Sequence, residues 1–271
     1  MYALLLAAAE KDQQSIFNEV LEHLSPHRYS WAPQWKVGAF DLTFSNAVLN
    51  IWLSALIVLV LFWAAASKPK LVPRGIQNAI EAVMDWAKSN LVYSVMSPKD
   101  GLIWGPLVLT LFFFILIMNV IGLIPVIGFT PTSNIYLTAT LAFMVYLIAI
   151  IVGMAKNGPL TFWKKTLFPQ GVNKGIAIFM AILIEPISQL ARPFSLAVRL
   201  FANMLADHLL LLIFAGFIFL GSGVILALVL PISVVFMIIF TAFAILVAFI
   251  QAVVFAYLSA IYINDGLHPG H

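Results

Sequence analysis

The sequence predicts an all-α polytopic membrane protein, with about five transmembrane helices and one amphipathic surface helix. Hydrophobic residues make up 63% of its 271 residues and charged residues only 9%, a composition typical of a chain dissolved in lipid. The apolar residues are gathered into runs that reach or exceed the roughly 20 residues that a helix needs to cross a bilayer. The last two runs are much longer, which predicts two long, steeply tilted helices that form a hairpin.

The first apolar run predicts a transmembrane helix at 44–67, after an N-terminal extracytoplasmic segment at 1–43. The next segment, 75–96, has apolar residues at helical spacing and charged or amide residues on its other faces. It is too polar to span a bilayer. Its pattern is typical of an amphipathic helix that lies on the membrane surface.

Two further runs, about 102–127 and 135–154, are separated by the turn residues Thr130-Pro131-Thr132. They predict a transmembrane hairpin at 102–155. The segment 156–174 that follows is predicted to be a loop. It carries two aromatic residues followed by two lysines, namely Phe162, Trp163, Lys164 and Lys165. Such a combination is typical of a membrane interface.

The lysine and arginine residues predict the orientation of the chain. Those near the ends of the predicted spans collect on one side, at Lys68, Lys70, Arg74, Lys88, Lys99, Lys156, Lys164, Lys165 and Lys174. The turns near Thr130 and Gly221 carry none. By the positive-inside rule the basic side is cytoplasmic, which predicts an outside N-terminus and a cytoplasmic C-terminal tail at 263–271. The simple architecture favours a bacterial plasma membrane.

The segment 175–262 predicts the long helical hairpin. Its two apolar stretches, about 175–219 and 224–261, would be roughly 66 and 57 Å long as helices, against a hydrocarbon core of about 30 Å. Each stretch either breaks into two spans or forms one oblique helix, and its prolines permit kinks in both cases. We favour oblique helices because a break near Arg192-Pro193 would lie among residues without other turn chemistry.

Arg199 lies in the middle of the first long helix. A guanidinium keeps its proton at any working pH, and at the centre of a membrane helix it costs at least ~2.5–3.5 kcal/mol. Residues around it recur at alternating spacings of four and three, which places them on one stripe of the helix. This stripe contains Glu185, Gln189, Arg192, Leu196, Arg199, Asn203, Ala206 and Leu210. The pattern therefore predicts a helix with a functional polar face.

The sequence Arg-Pro-Phe-Ser-Leu-Ala-Val-Arg-Leu-Phe-Ala-Asn-Met at 192–204 resembles the signature of subunit a of the F-type ATP synthase, the stator half of its proton path. Two other motifs resemble the same family in order and spacing. They are Met-Asn-Val-Ile-Gly-Leu-Ile-Pro at 118–125 and Ile-Gln-Ala-Val-Val-Phe at 250–255. The resemblance covers about 41–263. It implies a long tilted hairpin against a rotor c-ring, with peripheral-stalk subunit b and the rest of the ATP synthase as further partners.

The resemblance also implies roles in proton translocation for single residues. Arg199 matches the arginine that faces the rotor carboxylate, Gln251 the glutamine beside it, and Asn203 the asparagine of the aqueous path. Glu185 matches the carboxylate toward the cytoplasmic half-channel. We expect Asn203 and Gln251 to share the donors of the guanidinium, which would soften its pairing with the rotor.

Asn119 and Arg192 match family positions of lesser standing. The sequence departs from the family at Ala244, where relatives have an acid or a histidine seven residues before the glutamine. Asp207 and His208 supply an acid and an imidazole on the earlier helix, and we expect them to titrate in the outer half-channel. The resemblance thus implies an ion-conducting subunit, not a catalyst by itself, that couples proton flow to rotation and ATP synthesis.

Other classes of protein fit the sequence less well. Without cysteine, His-rich metal spacing or a cofactor motif, we predict no metal and no cofactor. A net charge of +3 without aromatic-basic interleaving predicts no nucleic-acid partner. The main alternative is a secondary transporter with a mid-membrane charged site, although the two halves show no internal repeat. A membrane-embedded hydrolase or transferase is third, because no Ser-His-Asp arrangement or phosphate loop is present.

Overall fold

A computed structural model describes residues 36–37, 40–41, 45–67, 75–124, 131–168, 174–220 and 223–269. Within these ranges the protein is almost entirely helical, and five of the helices are long and apolar enough to cross a membrane. The predicted all-α polytopic membrane fold is confirmed. The described residues do not include most of the N-terminal segment, the basic residues Lys68, Lys70 and Arg74, or the turn residues Thr130 and Gly221.

The described elements are two very short strands and eight α-helices. An antiparallel ladder pairs β1 (Lys36–Val37) with β2 (Phe40–Asp41). The helices are α1 (Asn46–Ser67), α2 (Ile76–Ala87), α3 (Pro98–Gly122), α4 (Ile135–Asn157), α5 (Pro159–Leu167), α6 (Lys174–Phe179), α7 (Glu185–Leu220) and α8 (Gly223–Leu267). A π-helical turn, Lys88–Val92, extends α2, and another, Met180–Ile184, joins α6 to α7.

Local sequence signals set several helix ends. The side chain of Ser97 accepts a hydrogen bond from the backbone N–H of Asp100 at 3.2 Å, which caps the start of α3. Pro98 takes the first helical position, where a missing N–H costs little. Gly158, with φ 79°, ends α4 in a conformation that L side chains rarely adopt. Pro159 then begins α5.

The core of the described bundle lies between α3, α4, α7 and α8. Phe112 and Met118 of α3 and Phe255 of α8 are fully buried there. Helix α1 packs mainly on α3, where Phe62 meets Phe113 edge to face with ring centroids 5.2 Å apart. Large apolar side chains cover the outer faces of the spanning helices, as expected where a bundle faces lipid.

The amphipathic segment predicted at 75–96 contains α2 and its π-helical extension. Trp86 of α2 lies near Phe112 of α3 and Phe249 of α8, at ring-centroid distances of 6.2 and 5.6 Å. Leu91 in the extension is buried. The apolar side of α2 therefore rests on the core of the bundle.

Helices α7 and α8 pack along each other and form the predicted hairpin. They have 36 and 45 residues, which corresponds to about 54 and 68 Å at 1.5 Å per residue. Pro193 and Pro231 lie inside these helices without ending them. A single helix of this length can only cross a core of about 30 Å obliquely.

The segment 156–174, predicted to be a loop, contains the helix α5. The prediction of a loop was wrong. A helix of only nine residues is too short to be stable by itself, so packing against the rest of the bundle must stabilise it. The buried ring of Phe162 lies against α4 at Gly153. A Cβ at Gly153 would collide with that ring and would lie 2.7 Å from the carbonyl oxygen of Gly266. Helices α4, α5 and α8 are therefore in close contact.

The C-terminal tail predicted at 263–271 begins later than expected, because α8 continues to Leu267. The next residue, His268, places Nε2 2.9 Å from Asp100 Oδ2. Lys156 Nζ lies 3.7 Å from Asp100 Oδ1. These contacts join the start of α3 and the end of α4 to the end of α8. They stabilise the last turn of α8, which the composition of the C-terminal segment does not predict.

Candidate functional site

The predicted site residues occupy successive levels of the hairpin rather than one cluster. We call the region formed by the start of α7, the ends of α4 and α8, and α5 the basic end, because Lys156, Lys164 and Lys165 lie there. Along α7, Glu185 is about 21 Å from Arg199. We call the level of Arg199 the middle of the hairpin. Asp207 is about 12 Å beyond Arg199, in what we call the far half.

At the basic end, hydrogen bonds connect α4 to α7. The hydroxyl of Tyr146 donates to Gln189 Oε1 at 2.9 Å, and Gln189 Nε2 donates to Glu185 Oε1 at 2.7 Å. Because an amide both donates and accepts, Gln189 links the hydroxyl to the carboxylate. The predicted site residue Glu185 is half-buried. Through Gln189 it is connected to the titratable hydroxyl of Tyr146 on α4.

Arg192 is paired with α8. Its Nη1 lies 3.1 Å from Asp265 Oδ2, and its guanidinium carbon is 5.9 Å from the ring centre of Tyr262. The Tyr262 hydroxyl donates to the backbone oxygen of Arg192 at 3.4 Å. A part-exposed ion pair of this kind contributes about 0–1 kcal/mol. Arg192 thus connects α7 to α8 and has its counter-charge within the chain.

A cleft opens beside the Tyr146–Gln189 hydrogen bond and the Arg192–Asp265 ion pair. Its polar lining consists of Tyr146, Gln189, Arg192, Tyr262 and Asp265, and Phe162 and Thr166 of α5 border it. Glu185 is hydrogen-bonded to this lining through Gln189. Donors and acceptors from several helices around one space can bind water, which apolar cavities exclude.

Arg199 has different surroundings. In the part of the chain that the structure describes, it has no hydrogen-bond or ion-pair partner. Its side chain is exposed, whereas Leu196 and Leu200 beside it are buried. It lies within Ala181–Leu211, one of the segments able to span a membrane. A permanent cation that points out of the bundle at this depth requires water or an anion outside the chain.

Asn203 and Gln251 join α7 to α8 one turn beyond Arg199. Asn203 Nδ2 donates to Gln251 Oε1 at 2.8 Å. Gln251 is only 2% exposed, and its Nε2 lacks a hydrogen-bond partner among the described residues. In this structure the two amides bond to each other and not to Arg199, so the expectation that they share the donors of its guanidinium stays a prediction.

The far half of the hairpin contains a buried acid. Asp207 is 7% exposed, and its Oδ2 has no hydrogen-bond partner in the described ranges. His208 is half-buried and interacts with other groups. Ala244 of α8, where the sequence departs from the family pattern, is also buried. A buried carboxyl oxygen without a partner is uncommon in folded proteins and suggests that water or a proton completes the site.

Asn119 lies apart from the hairpin residues. It is fully buried near the end of α3, and its Oδ1 accepts a hydrogen bond from Thr132 Oγ1 at 2.8 Å. Thr132 belongs to a short 3₁₀ turn ahead of α4. The Nδ2 of Asn119 has no hydrogen-bond partner among the residues described. The structure therefore connects Asn119 to the turn before α4.

A family model described as "ATP synthase A chain" matches residues 48–264. The chain belongs to the ATP synthase subunit a family. Three similar proteins carry the name ATP synthase subunit a. The one from Beijerinckia indica subsp. indica is 40% identical over 233 residues, covering 85% of this chain and 90% of the relative. The one from Maricaulis maris is 40% identical over 245 residues, covering 85% of this chain and 91% of the relative. The one from Hyphomonas neptunium is 42% identical over 236 residues, covering 86% of this chain and 90% of the relative.

Membership in the subunit a family confirms the resemblance found in the sequence motifs. It makes the protein a stator component of the F-type ATP synthase and an ion-conducting part of its membrane sector. Together with the five apolar helices, it also makes the protein an integral, multi-pass bacterial membrane protein.

Sequence reasoning missed Tyr146, Tyr262 and Asp265 as parts of the site. Asp265 gave the clearest signal, because it is an acid two residues after the end of a long apolar run. The tyrosines gave none, since a tyrosine in a spanning helix is also typical of an interface. In the described ranges there is no group of three or more His, Cys, Asp or Glu side chains placed to hold a metal ion.

Proposed function

We propose that this subunit exchanges protons between two aqueous half-channels and the carboxylates of a rotor c-ring, and that Arg199 faces those carboxylates. The exposed guanidinium in the middle of a spanning segment, without a partner in the described chain, carries this proposal. The c-ring and the peripheral-stalk subunit b are the proposed partners. We assign an outside N-terminus and a cytoplasmic C-terminus, so that the basic end faces the cytoplasm.

The proposed role of Arg199 follows from its fixed charge. A rotor carboxylic acid can cross lipid cheaply only while it is neutral. An opposite charge about 4 Å away favours the ionised form by about 4 kcal/mol at an effective dielectric of 20. The acid therefore releases its proton when it reaches Arg199. Because a proton cannot easily pass a permanent cation, flow between the half-channels requires the rotor to turn.

The cleft at the basic end is our candidate for the cytoplasmic half-channel. Glu185, Gln189 and Tyr146 form a hydrogen-bonded chain at its wall. The ion pair between Arg192 and Asp265 holds α7 against α8 at the same level. A proton released near Arg199 would leave along this lining through bound water.

We assign the outer half-channel to the far half of the hairpin. Asp207 has a buried oxygen available to a proton or a water molecule. His208, next to it in sequence, adds a second titratable group. In this assignment they replace the acid or histidine that relatives have at the position of Ala244. Asn119 contributes a further polar group near the end of α3.

Asn203 and Gln251 are proposed to adjust how tightly Arg199 holds the rotor. A permanent salt bridge would stop rotation. Opening the hydrogen bond between the two amides would free Gln251 Oε1 to accept from the guanidinium. That competition weakens the attraction between Arg199 and the carboxylate, and lets the rotor advance.

The deciding experiment replaces Arg199 by Gln in the whole ATP synthase reconstituted into vesicles. We expect ATP-driven proton pumping to fall roughly 1,000-fold, which corresponds to the loss of about 4 kcal/mol. ATP hydrolysis by the detached soluble sector should not change. Pumping is measured by the quenching of a pH-sensitive dye.

Arg192→Gln is the matched control. It removes the same residue type from the same stripe of α7, but at a position whose charge is already paired with Asp265. We expect less than a tenfold loss of pumping, since part-exposed ion pairs contribute about 0–1 kcal/mol. Equal losses in the two variants would overturn the proposal. Uptake of a solute by the wild-type subunit without a rotor would instead favour a secondary transporter.

A further inference from the structure

Helix α5 carries an exposed face that no contact inside the described chain explains. Leu160, Trp163, Lys164 and Leu167 are spaced as i, i+3, i+4 and i+7, so they share one side of the helix. We call these four residues the α5 face. Leu160 is 87% exposed and Trp163 is 38% exposed, Lys164 is exposed, and Leu167 is half-buried. The face therefore combines apolar, aromatic and cationic groups.

The position of α5 along the chain places it at a bilayer boundary. It follows α4, a spanning helix, after the single residue Gly158. After α5 the chain enters α6, which leads into the next spanning segment at Ala181. A helix between two spanning segments on one side of the membrane has to lie near the headgroups.

The α5 face is also held in a fixed orientation. Phe162, on the opposite side of the helix, is only 4% exposed and is packed against Gly153 of α4. The rings of Phe162 and Trp163 meet edge to face, with centroids 5.4 Å apart. These contacts leave α5 little freedom to rotate. The outward direction of Leu160 and Lys164 is thus a property of the fold.

The charges on α5 are of one sign. Lys164 and Lys165 occupy its last turn, and neither has an acidic partner at ion-pair distance in the described part of the chain. A lysine beside an apolar stripe can keep its stem in the acyl region and extend its ammonium group to the headgroups. A tryptophan at the same level prefers the boundary between acyl chains and water.

We propose that the α5 face, together with Lys165, binds an anionic phospholipid. Leu160 and Trp163 contact the upper part of the acyl chains, and the two lysines bind the phosphate of the headgroup. The net negative charge of that lipid distinguishes it from a zwitterionic one. A partner subunit of the complex is the competing occupant of this surface, and the experiment separates the two cases.

The test uses the whole ATP synthase complex in vesicles of phosphatidylcholine, with or without phosphatidylglycerol. Photoactivatable forms of the two lipids are cross-linked, and the labelled peptides are mapped by mass spectrometry. We expect the phosphatidylglycerol probe to label 159–167 in preference to the phosphatidylcholine probe. A basic residue near a membrane surface contributes a factor of about five in affinity. In Lys164→Gln/Lys165→Gln this preference should therefore fall about 25-fold.

Two matched variants isolate the effect of charge on α5. Lys99→Gln removes an exposed lysine near the start of α3, outside α5, and should leave the labelling of α5 unchanged. Lys164→Arg/Lys165→Arg should retain the preference. Free inorganic phosphate in excess should not compete, because it lacks the acyl chains that Leu160 and Trp163 contact.

Three outcomes would overturn the proposal. They are equal labelling by the two lipids, an unchanged preference in the double Gln variant, and no labelling of 159–167 by either lipid, which is expected if a partner subunit covers the α5 face. If the double Gln variant fails to assemble, the wild-type ratio between the two probes and the double Arg variant still decide the matter.

Discussion

The two arginines of α7 lie seven residues apart on one stripe and have opposite surroundings. At the basic end, Arg192 has Asp265 and Tyr262 as neighbours on α8. In the middle, Arg199 is exposed and has no ion-pair partner in the described chain. Where the chain supplies the counter-charge, an arginine fastens one helix to another. Where it does not, the same side chain is available to a different subunit.

Packing differs between the same regions. At the basic end, α4 and α8 approach so closely that a Cβ at Gly266 would collide with the carbonyl oxygen of Ala149. In the far half of α7, a Cβ at Gly216 would meet no atom within 4 Å other than those of its own stretch of helix. The basic end therefore anchors the hairpin to the rest of the bundle, and the far half of α7 is less tightly enclosed.

Gly266→Ala should have the largest effect on stability. The atom that a new Cβ would meet is backbone and cannot rotate away, and overpacking of this kind costs about 1–3 kcal/mol or more. We expect the amount of subunit that copurifies with the complex to fall severalfold or more. Gly216→Ala is the control and should be neutral or stabilising by about 0.5–1 kcal/mol, because Ala favours a helix. Equal losses in both variants would contradict the difference in packing.

Gln251→Leu tests the connection between the helices in the middle of the hairpin. It leaves Asn203 Nδ2 without its acceptor, which costs about 1–3 kcal/mol where the group is shielded from water. The double variant Asn203→Leu/Gln251→Leu should recover most of this stability, because removing both partners is nearly neutral. Thermal unfolding of the purified complex measures the stability. Proton pumping should stay low in both variants, and full pumping in the double variant would count against a role for these amides.

Asp207→Asn and Asp265→Asn compare a buried acid without a partner to an exposed acid with one. Asn at 207 removes a buried carboxyl whose Oδ2 lacks a hydrogen bond in the described chain. We expect unchanged or slightly higher stability and a loss of pumping of about a hundredfold, the lower end of what a positioned proton-transfer group contributes. Asn at 265 should lower stability by less than about 1 kcal/mol and leave most pumping intact. A large loss of pumping in Asp265→Asn and a small one in Asp207→Asn would contradict this assignment of the two acids.

Asp100→Asn should have the smallest effect. Asp100 contacts Lys156 and His268 and lies next to the cap formed by Ser97. Because these are part-exposed contacts at a helix end, we expect a loss of about 1 kcal/mol or less, reduced further at high salt. Asp85→Asn is the control, since Asp85 is far more exposed, and thermal unfolding should not distinguish it from wild type. A larger loss for Asp100→Asn would mean that the end of α8 stabilises the bundle more than its exposure suggests.

The sequence was sufficient to predict the helices of the hairpin but not their partners. The lengths of the apolar runs predicted α7 and α8, and the alternating spacing placed Arg192, Arg199 and Asn203 on one stripe. Periodicity defines a face, but it does not define which residue of another helix meets that face. The pairing of Arg192 with Asp265 depends on the register of α7 against α8, so it could not be predicted.

The helix α5 shows the opposite limitation. Its buried residue Phe162 fills the space left by Gly153, which lies nine residues earlier in a chain that reverses at Gly158. No local pattern of nine residues carries that information. The sequence Gly158-Pro159 followed by apolar residues at helical spacing was the only indication of a helix start.

The exposure of Arg199 has a consequence for biogenesis. A newly inserted copy, still alone in the bilayer, would hold a bare cation against acyl chains at a cost of at least ~2.5–3.5 kcal/mol. That is a large part of the margin by which membrane and soluble proteins alike remain folded. Copies without a partner subunit should therefore be less stable in the bilayer and more susceptible to proteolytic quality control. If a c-ring faces Arg199 as proposed, its presence before this chain is inserted would remove that cost.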